Sequence, residues 1–282
     1  MKLRLGNTSM QYEESYALLA KYGYDCADFQ MAYTEDSIYT CEKDEFVSRL
    51  KTIKSYADNY GITIHQMHGP WSWPIREEKP GGAEERFEKM SKSITAAPYL
   101  GCKNWVIHPL MPYGIFDIHL MKDKDTFDFN VDFFSRLLKI AKENDVTICV
   151  ENMPYKNYSL STPAKLVQLV ETINDENFRL CLDTGHIACF NNLPVGDAAR
   201  TMGKYLRVLH VHDNHTEDSH EIPYLGKIDW EEFYQGLVDI KFDGVFSLET
   251  QVPHWKVNEK AYDLMARALV MIAKQILHEP VE

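Results

Sequence analysis

The 282-residue chain carries 42 Asp and Glu against 30 Lys and Arg, a formal charge of −12, and 45% of its residues are apolar. That apolar share excludes a disordered polymer, and the acidic balance argues against a protein that holds nucleic acid through a basic surface, which needs clustered Lys and Arg. No run approaches the roughly 18 to 20 apolar residues that span a bilayer, so no membrane association is expected.

Met1 to Asn7 is too short an apolar run for a secretory signal and passes at once into a strand-like segment. Short runs rich in Val, Ile, Leu and Cys then recur at Lys2 to Ser9, Tyr24 to Met31, Ile62 to Gly69, Lys103 to Leu110, Val146 to Asn152, Phe178 to Asp183, Leu206 to Asp213 and Gly244 to Thr250. Helical spacing follows each of them. After the second run Phe46, Leu50, Ile53 and Ala57 share one face; Phe133, Leu137 and Ala141 do so before the fifth run, and Tyr262, Met265, Ala266, Leu269 and Ala273 near the C-terminus. Gly23, Gly61, Gly101 and Asn144 mark helix ends. This alternation, with no linker and no composition break, predicts an α/β fold: a (β/α)8 TIM barrel formed as a single domain over residues 1–282. A doubly wound sheet fits less well, because the first turn, Gly6-Asn7-Thr8-Ser9-Met10, lacks a phosphate-binding glycine pattern. Longer insertions at Pro70 to Gly82, Met111 to Asp125 and Asn214 to Lys227 are expected over the C-terminal rim. Cys26, Cys41, Cys102, Cys149, Cys181 and Cys189 are scattered without CxxC pairing, which predicts reduced thiols and a cytoplasmic protein.

Ligand-type residues collect at the predicted strand ends. His68 ends the third strand, His108 the fourth, Glu151 the fifth, Asp183 the sixth, His210 and His212 the seventh and Glu249 the eighth. In a barrel these ends converge on one rim. A carboxylate closing an apolar strand, as in Ile148-Cys149-Val150-Glu151, is costly unless a cation meets it. Glu151, Asp183, His210 and Glu249 are therefore expected to hold a divalent ion. The donor set suits Mn²⁺ or Zn²⁺, with Mg²⁺ or Co²⁺ also compatible. Period-2 alternation puts His210 and His212 on the same side and turns Cys149 and Cys181 inward, one layer below the ligands.

Through Val150-Glu151-Asn152, Leu182-Asp183-Thr184-Gly185-His186, Leu209-His210-Val211-His212-Asp213 and Leu248-Glu249-Thr250, the chain resembles the xylose isomerase-like TIM-barrel superfamily. That group includes sugar isomerases and epimerases, dehydratases, inosose-processing enzymes and endonuclease IV-type nucleases. By resemblance to its ketose epimerases, Glu151, Asp183, His210 and Glu249 hold one ion, Glu151 and Glu249 exchange a substrate proton, and His186 contacts a substrate oxygen. The implied activity is a metal-dependent sugar, sugar-phosphate or cyclitol isomerase or epimerase acting on a small polyhydroxylated substrate; dehydratase and lyase chemistry stay compatible. The nuclease branch binds three zinc ions, and its positions correspond here to His68, His108, Glu151, Asp183, His186, His210, Asp218, His220 and Glu249. A trinuclear zinc phosphoesterase or abasic-site nuclease is thus the alternative, although His212-Asp213-Asn214-His215-Thr216-Glu217 departs from that branch's Ser-Lys pair. The same stretch lacks the Arg that some epimerases use on substrate hydroxyls, so sugar specificity does not carry over.

Further substrate contacts are expected from His68, His186 and His212 on the rim, from an apolar wall of Trp71 and Trp73, and from the loop cations Lys156, Lys227 and Arg76. His65, His119, His254 and His278 lack a supporting pattern and read as structural or surface residues; His215 stays open. A homo-oligomer is compatible with the sequence, and so is a barrel that binds without turnover.

Overall fold

Eight strands form one parallel sheet: β1 (Arg4–Ser9), β2 (Cys26–Gln30), β3 (Thr63–His68), β4 (Asn104–Ile107), β5 (Thr147–Glu151), β6 (Phe178–Asp183), β7 (Leu206–His210) and β8 (Val245–Leu248). From β1 to β7 each strand pairs with the next, and β1 also pairs with β8. The remaining gap closes through Val211, whose N–H donates to Ser247 O at 2.9 Å and whose carbonyl accepts from the Glu249 N–H at 3.0 Å. The result is the expected (β/α)8 barrel, in a computed structural model that describes residues 1–31, 36–71, 78–189, 193–250, 252 and 257–281.

The helices are α1 (Glu13–Tyr22), α2 (Lys43–Asn59), α3 (Gly82–Leu100), α4 (Asp123–Glu143), α5 (Pro163–Ile173), α6 (Thr184–Ala188), α7 (Val195–Met202), α8 (Trp230–Asp239) and α9 (Glu259–Ile276). Phe46, Leu50, Ile53 and Ala57 of α2 are buried as a set, as are Phe133, Leu137 and Ala141 of α4. On α9 Ala266, Leu269 and Ala273 are buried, while Tyr262 and Met265 are half-buried. Gly23 and Gly101 close α1 and α3 in left-handed conformations, and Asn144 caps α4.

Three strands stop two or three residues before the C-terminal end of their apolar runs. The fourth stops at Ile107, and Leu110 instead exchanges both backbone hydrogen bonds with the Asn130 side chain of α4, at 2.7 and 2.8 Å. The seventh and eighth stop at His210 and Leu248, so His212 and Glu249 sit just beyond the paired strands, at the rim. Inside the barrel Val106, Cys149, Cys181 and Val208 form a buried layer beneath those ends, as strand parity requires. All six cysteines are free thiols. Trp73, Arg76 and His254 lie outside the described residues. Among the described residues no helix is long and apolar enough to cross a membrane.

Candidate metal centre

The strand ends deliver their polar side chains to one place. One donor atom from each of Glu151, Asp183, His210 and Glu249 lies within 4.8 Å of the others. Glu151 and Asp183 are almost completely buried, and His210 is fully so. Its Nδ1 stands 2.9 Å from Glu151 Oε1 and 3.3 Å from Glu249 Oε2. Burial alone would raise the Glu151 carboxyl, yet His210, His108 and His68 around it hold it well below the usual range. Glu249 behaves oppositely: burial pushes its carboxyl up, and the neighbouring His210 and His220 do not reverse that. Burial opposes a charged His210, but Cys181, Glu249, Glu151 and Asp28 raise it well above an ordinary imidazole.

Five further histidines and an aspartate surround this core. His68 Nε2 and His108 Nε2 approach Glu151 Oε2 at 3.5 and 3.3 Å. Asp218 meets His186 Nε2 at 3.2 Å and His220 Nε2 at 3.4 Å. His212 is buried with Nε2 3.0 Å from Asp183 Oδ1, and its ring stacks on His220 at 4.1 Å. All nine positions singled out by the nuclease resemblance therefore converge.

The orientation of the rings says what they require. Nδ1 of His68, His186 and His220 points at the carbonyls of Gly69, Asn152 and Glu249, at 2.7, 2.7 and 2.9 Å. A carbonyl only accepts, so each Nδ1 carries a proton and each Nε2 of a neutral ring is a lone pair. Those lone pairs face carboxylate oxygens. Acceptor against acceptor in a buried setting is repulsive unless a proton or a cation lies between them. Glu151 Oε2 has no hydrogen-bond partner among the described residues, and burial leaves it no solvent. The donors present thus fit a divalent ion of oxygen and nitrogen preference, held by Glu151, Asp183, His210 and Glu249.

Local sequence explains the alignment. Asp183 caps α6, its Oδ1 accepting the His186 N–H at 2.7 Å, and the Asn152 side chain exchanges hydrogen bonds with the Asp183 backbone at 3.0 and 2.9 Å. A Cβ on Gly185 would lie 2.7 Å from His212 Nε2 and closer still to the ring's Cε1 and Nδ1, so Asp-Thr-Gly-His needs its glycine to admit that imidazole. The β7–α8 loop is organised by Asp213, whose carboxylate accepts from the backbone N–H of Asn214, Tyr224, Lys227 and Ile228 and from Trp230 Nε1. That hub fixes the segment carrying Asp218 and His220.

The centre opens into a concave pocket at the barrel rim. Trp71, Pro109, Met111, Met153, Pro154 and Tyr155 give it apolar lining beside His68, His108, His186, Glu151 and Glu249, with the Trp71 ring 5.6 Å from that of His108. Lys156 is exposed and does not line it, and His212 is held behind Asp183, away from the opening. Lys227 and His215 are exposed on the loop after β7; His119 and His278 are exposed beside Phe116 and Tyr234. His65 is half-buried, and burial lowers its imidazole to about 4. Sequence reasoning missed Asp28 and Gln66, polar residues in the middle of apolar strands, and Gln30 and Arg86 in the pocket lining.

Comparison with known proteins gives the same frame. The D-psicose 3-epimerase of Ruminiclostridium cellulolyticum is 24% identical over 81% of this chain and 82% of its own length. A probable endonuclease 4 of Mycoplasmopsis agalactiae is 27% identical over 66% of each. The crystal structure of a D-psicose 3-epimerase in the presence of D-fructose superposes with a TM-score of 0.77 at 19% identity, covering 98% of this chain and 99% of that one. A family model described as xylose isomerase-like TIM barrel matches residues 16–271. On that match the chain belongs to the xylose isomerase-like TIM barrel family.

Proposed function

We propose that the protein is a metal-dependent sugar isomerase or epimerase that moves a proton on the carbon beside a carbonyl of a small polyhydroxylated substrate. The observation that carries this reading is the pair Glu151 and Glu249, brought together with Asp183 and His210 at one centre lining the pocket. Glu151 and Glu249 exchange the proton with that carbon. His186, raised well above an ordinary imidazole by Asp183, Asp218 and Glu151 against the effect of burial, donates to a substrate oxygen at the pocket floor. The apolar lining containing Trp71 covers the C–H face of the substrate. A divalent cation held by Glu151, Asp183, His210 and Glu249 supplies charge stabilisation for the oxygens beside the reacting carbon. Mn²⁺ or Zn²⁺ suits those donors best.

The test is solvent deuterium incorporation into a panel of ketoses and cyclitols. Wild type should exchange at one carbon, and Glu151→Gln or Glu249→Gln should lose exchange by at least about 100-fold, the range of acid–base contributions. Retained exchange in both variants overturns the mechanism.

One observation favours a second reading, a trinuclear zinc phosphoesterase. His68, His108, His186, Asp218 and His220 offer donors beyond the inner four. About three tightly bound zinc ions per chain, with turnover of a phosphodiester and none of the ketoses, would establish it over the first.

A further inference from the structure

We infer that Asp28 is a positioning residue for His210, holding its imidazole in the Nε2–H tautomer so that Nδ1 presents its lone pair to the cation. The inference rests on the metal-dependent reading above and concerns a residue outside the ligand set. Asp28 sits in the middle of β2, fully buried, with Oδ2 2.9 Å from His210 Nε2 across the barrel. Gln66 of β3 steadies it: Gln66 Nε2 donates to Asp28 Oδ2 at 3.1 Å and to Leu209 O at 3.1 Å, the carbonyl preceding His210. One carboxamide thus ties β2 and β3 to the backbone beside the ligand.

The other Asp28 oxygen, Oδ1, has no hydrogen-bond partner among the described residues, which leaves the carboxylate dependent on Gln66 and His210. A carboxylate in that setting selects an N–H over a lone pair at the facing nitrogen. His210 Nε2 is close in distance but makes no aligned hydrogen bond, so its contact with Asp28 here is electrostatic. With Nε2 protonated, the remaining lone pair is on Nδ1, the atom that faces Glu151 and Glu249. Asp28 does not line the pocket, so it acts through His210 and not on substrate. A carboxylate behind a ligating histidine orients the ring and raises its basicity, and losing such a partner costs about 10- to 100-fold in metal affinity.

The experiment measures Zn²⁺ and Co²⁺ affinity by chelator competition for wild type, Asp28→Asn, Asp28→Ala and Val106→Ala, with thermal unfolding of each metal-stripped protein. Val106 lies in the packed layer beneath the site, so V106A reports a stability loss without a charge change. The expected result is a 10- to 100-fold weaker affinity in D28N and D28A and an affinity within about threefold of wild type in V106A. ¹⁵N-detected histidine spectra of the zinc-loaded wild type should show His210 protonated at Nε2 and metal-bound at Nδ1, with the Nε2–H shifted in D28N. If D28N keeps wild-type affinity, or zinc sits on Nε2, the inference fails while the metal-dependent reading stands. If wild type binds neither ion, both fail.

Discussion

Gly185→Ala isolates the contact that lets His212 lie behind Asp183. An alanine Cβ would stand 2.7 Å from His212 Nε2 and nearer to two other ring atoms. Ordinary heavy-atom contact begins near ~3.5 Å, so the ring must withdraw by about 1 Å or more. It has nowhere to go without loss: His212 is fully buried, stacked on His220 at 4.1 Å and held by its Nε2 at 3.0 Å from Asp183 Oδ1. Overpacking of this kind costs roughly 1–3 kcal/mol, and loosening a charge-assisted contact adds roughly 1.5 kcal/mol or more. A total of about 3 kcal/mol at roughly 2–4 °C per kcal/mol lowers the Tm by about 6–12 °C. Calorimetry of G185A, His212→Ala and the double variant checks the cause as well as the size. Once the imidazole is removed the alanine has room, so the two effects must be strongly non-additive. A wild-type Tm for G185A, or additive effects in the double variant, refutes the reasoning.

Two other predictions concern protons and the outer ligands. His210 and His186 have raised folded-state pKa values, so in the metal-stripped protein their contribution to stability is complete below about pH 6.5 and is lost as pH rises through those raised values. Glu151 and Asp183 have lowered values, so theirs is present above about pH 4 and is lost as pH falls through them. A cation at the centre displaces imidazole protons; metal affinity therefore rises with pH and binding at pH 7 releases protons. Titration calorimetry in two buffers of different ionisation enthalpy measures that release, and identical heats in both would contradict it. Asp218→Ala should leave the inner cation within about threefold of its wild-type affinity, because Asp218 faces His186, His212 and His220, which lie outside the inner four. A larger loss of inner affinity in the chelator assay would show that the two groups act as one.

The strand-end residues were legible because two local rules place them. Apolar runs fix where a strand lies, and period-2 alternation fixes which side chains face inward, so Cys149 and Glu151, or His210 and His212, follow from counting. Asp28 obeys the same parity, but its importance depends on meeting His210 across the barrel, a distance set by closure and strand tilt that no local pattern encodes. Its available signal was an acidic residue inside Cys-Ala-Asp-Phe, where an unpaired charge should not be. Asp213 stood in a ligand-rich motif, yet its role as the hub of a loop spanning Asn214 to Trp230 appears only once that loop folds back on it. Lys156 shows the converse: placing it on a rim loop was simple, while the direction of its side chain depends on how that loop packs. Gly185 was visible in Asp-Thr-Gly-His, but the imidazole that requires it arrives from the next strand.

The imidazole nitrogens also bear on whether the centre works with one cation or several. Each outer group has a carboxylate, the buried Glu151 or the more open Asp218, facing Nε2 lone pairs, and a single proton resolves each conflict as well as a metal does. His68 is raised by Glu151 in spite of burial, and His186 is raised strongly by Asp183 and Asp218, while burial lowers His108 to about 4. A proton on His68 would answer Glu151 Oε2 and one on His186 would answer Asp218, while burial disfavours one on His108. The inner quartet sets three carboxylates around one imidazole, so a single imidazole proton does not balance it. A second or third ion would have to displace the protons of His68 and His186, and the His186 proton is the one available to a substrate oxygen. One cation with a protonated His186 is therefore the state suited to isomerisation, and filling the outer groups with metal would remove its acid. The same residues serve the two readings in mutually exclusive protonation states, and that is why metal number and reaction have to be measured at the same pH.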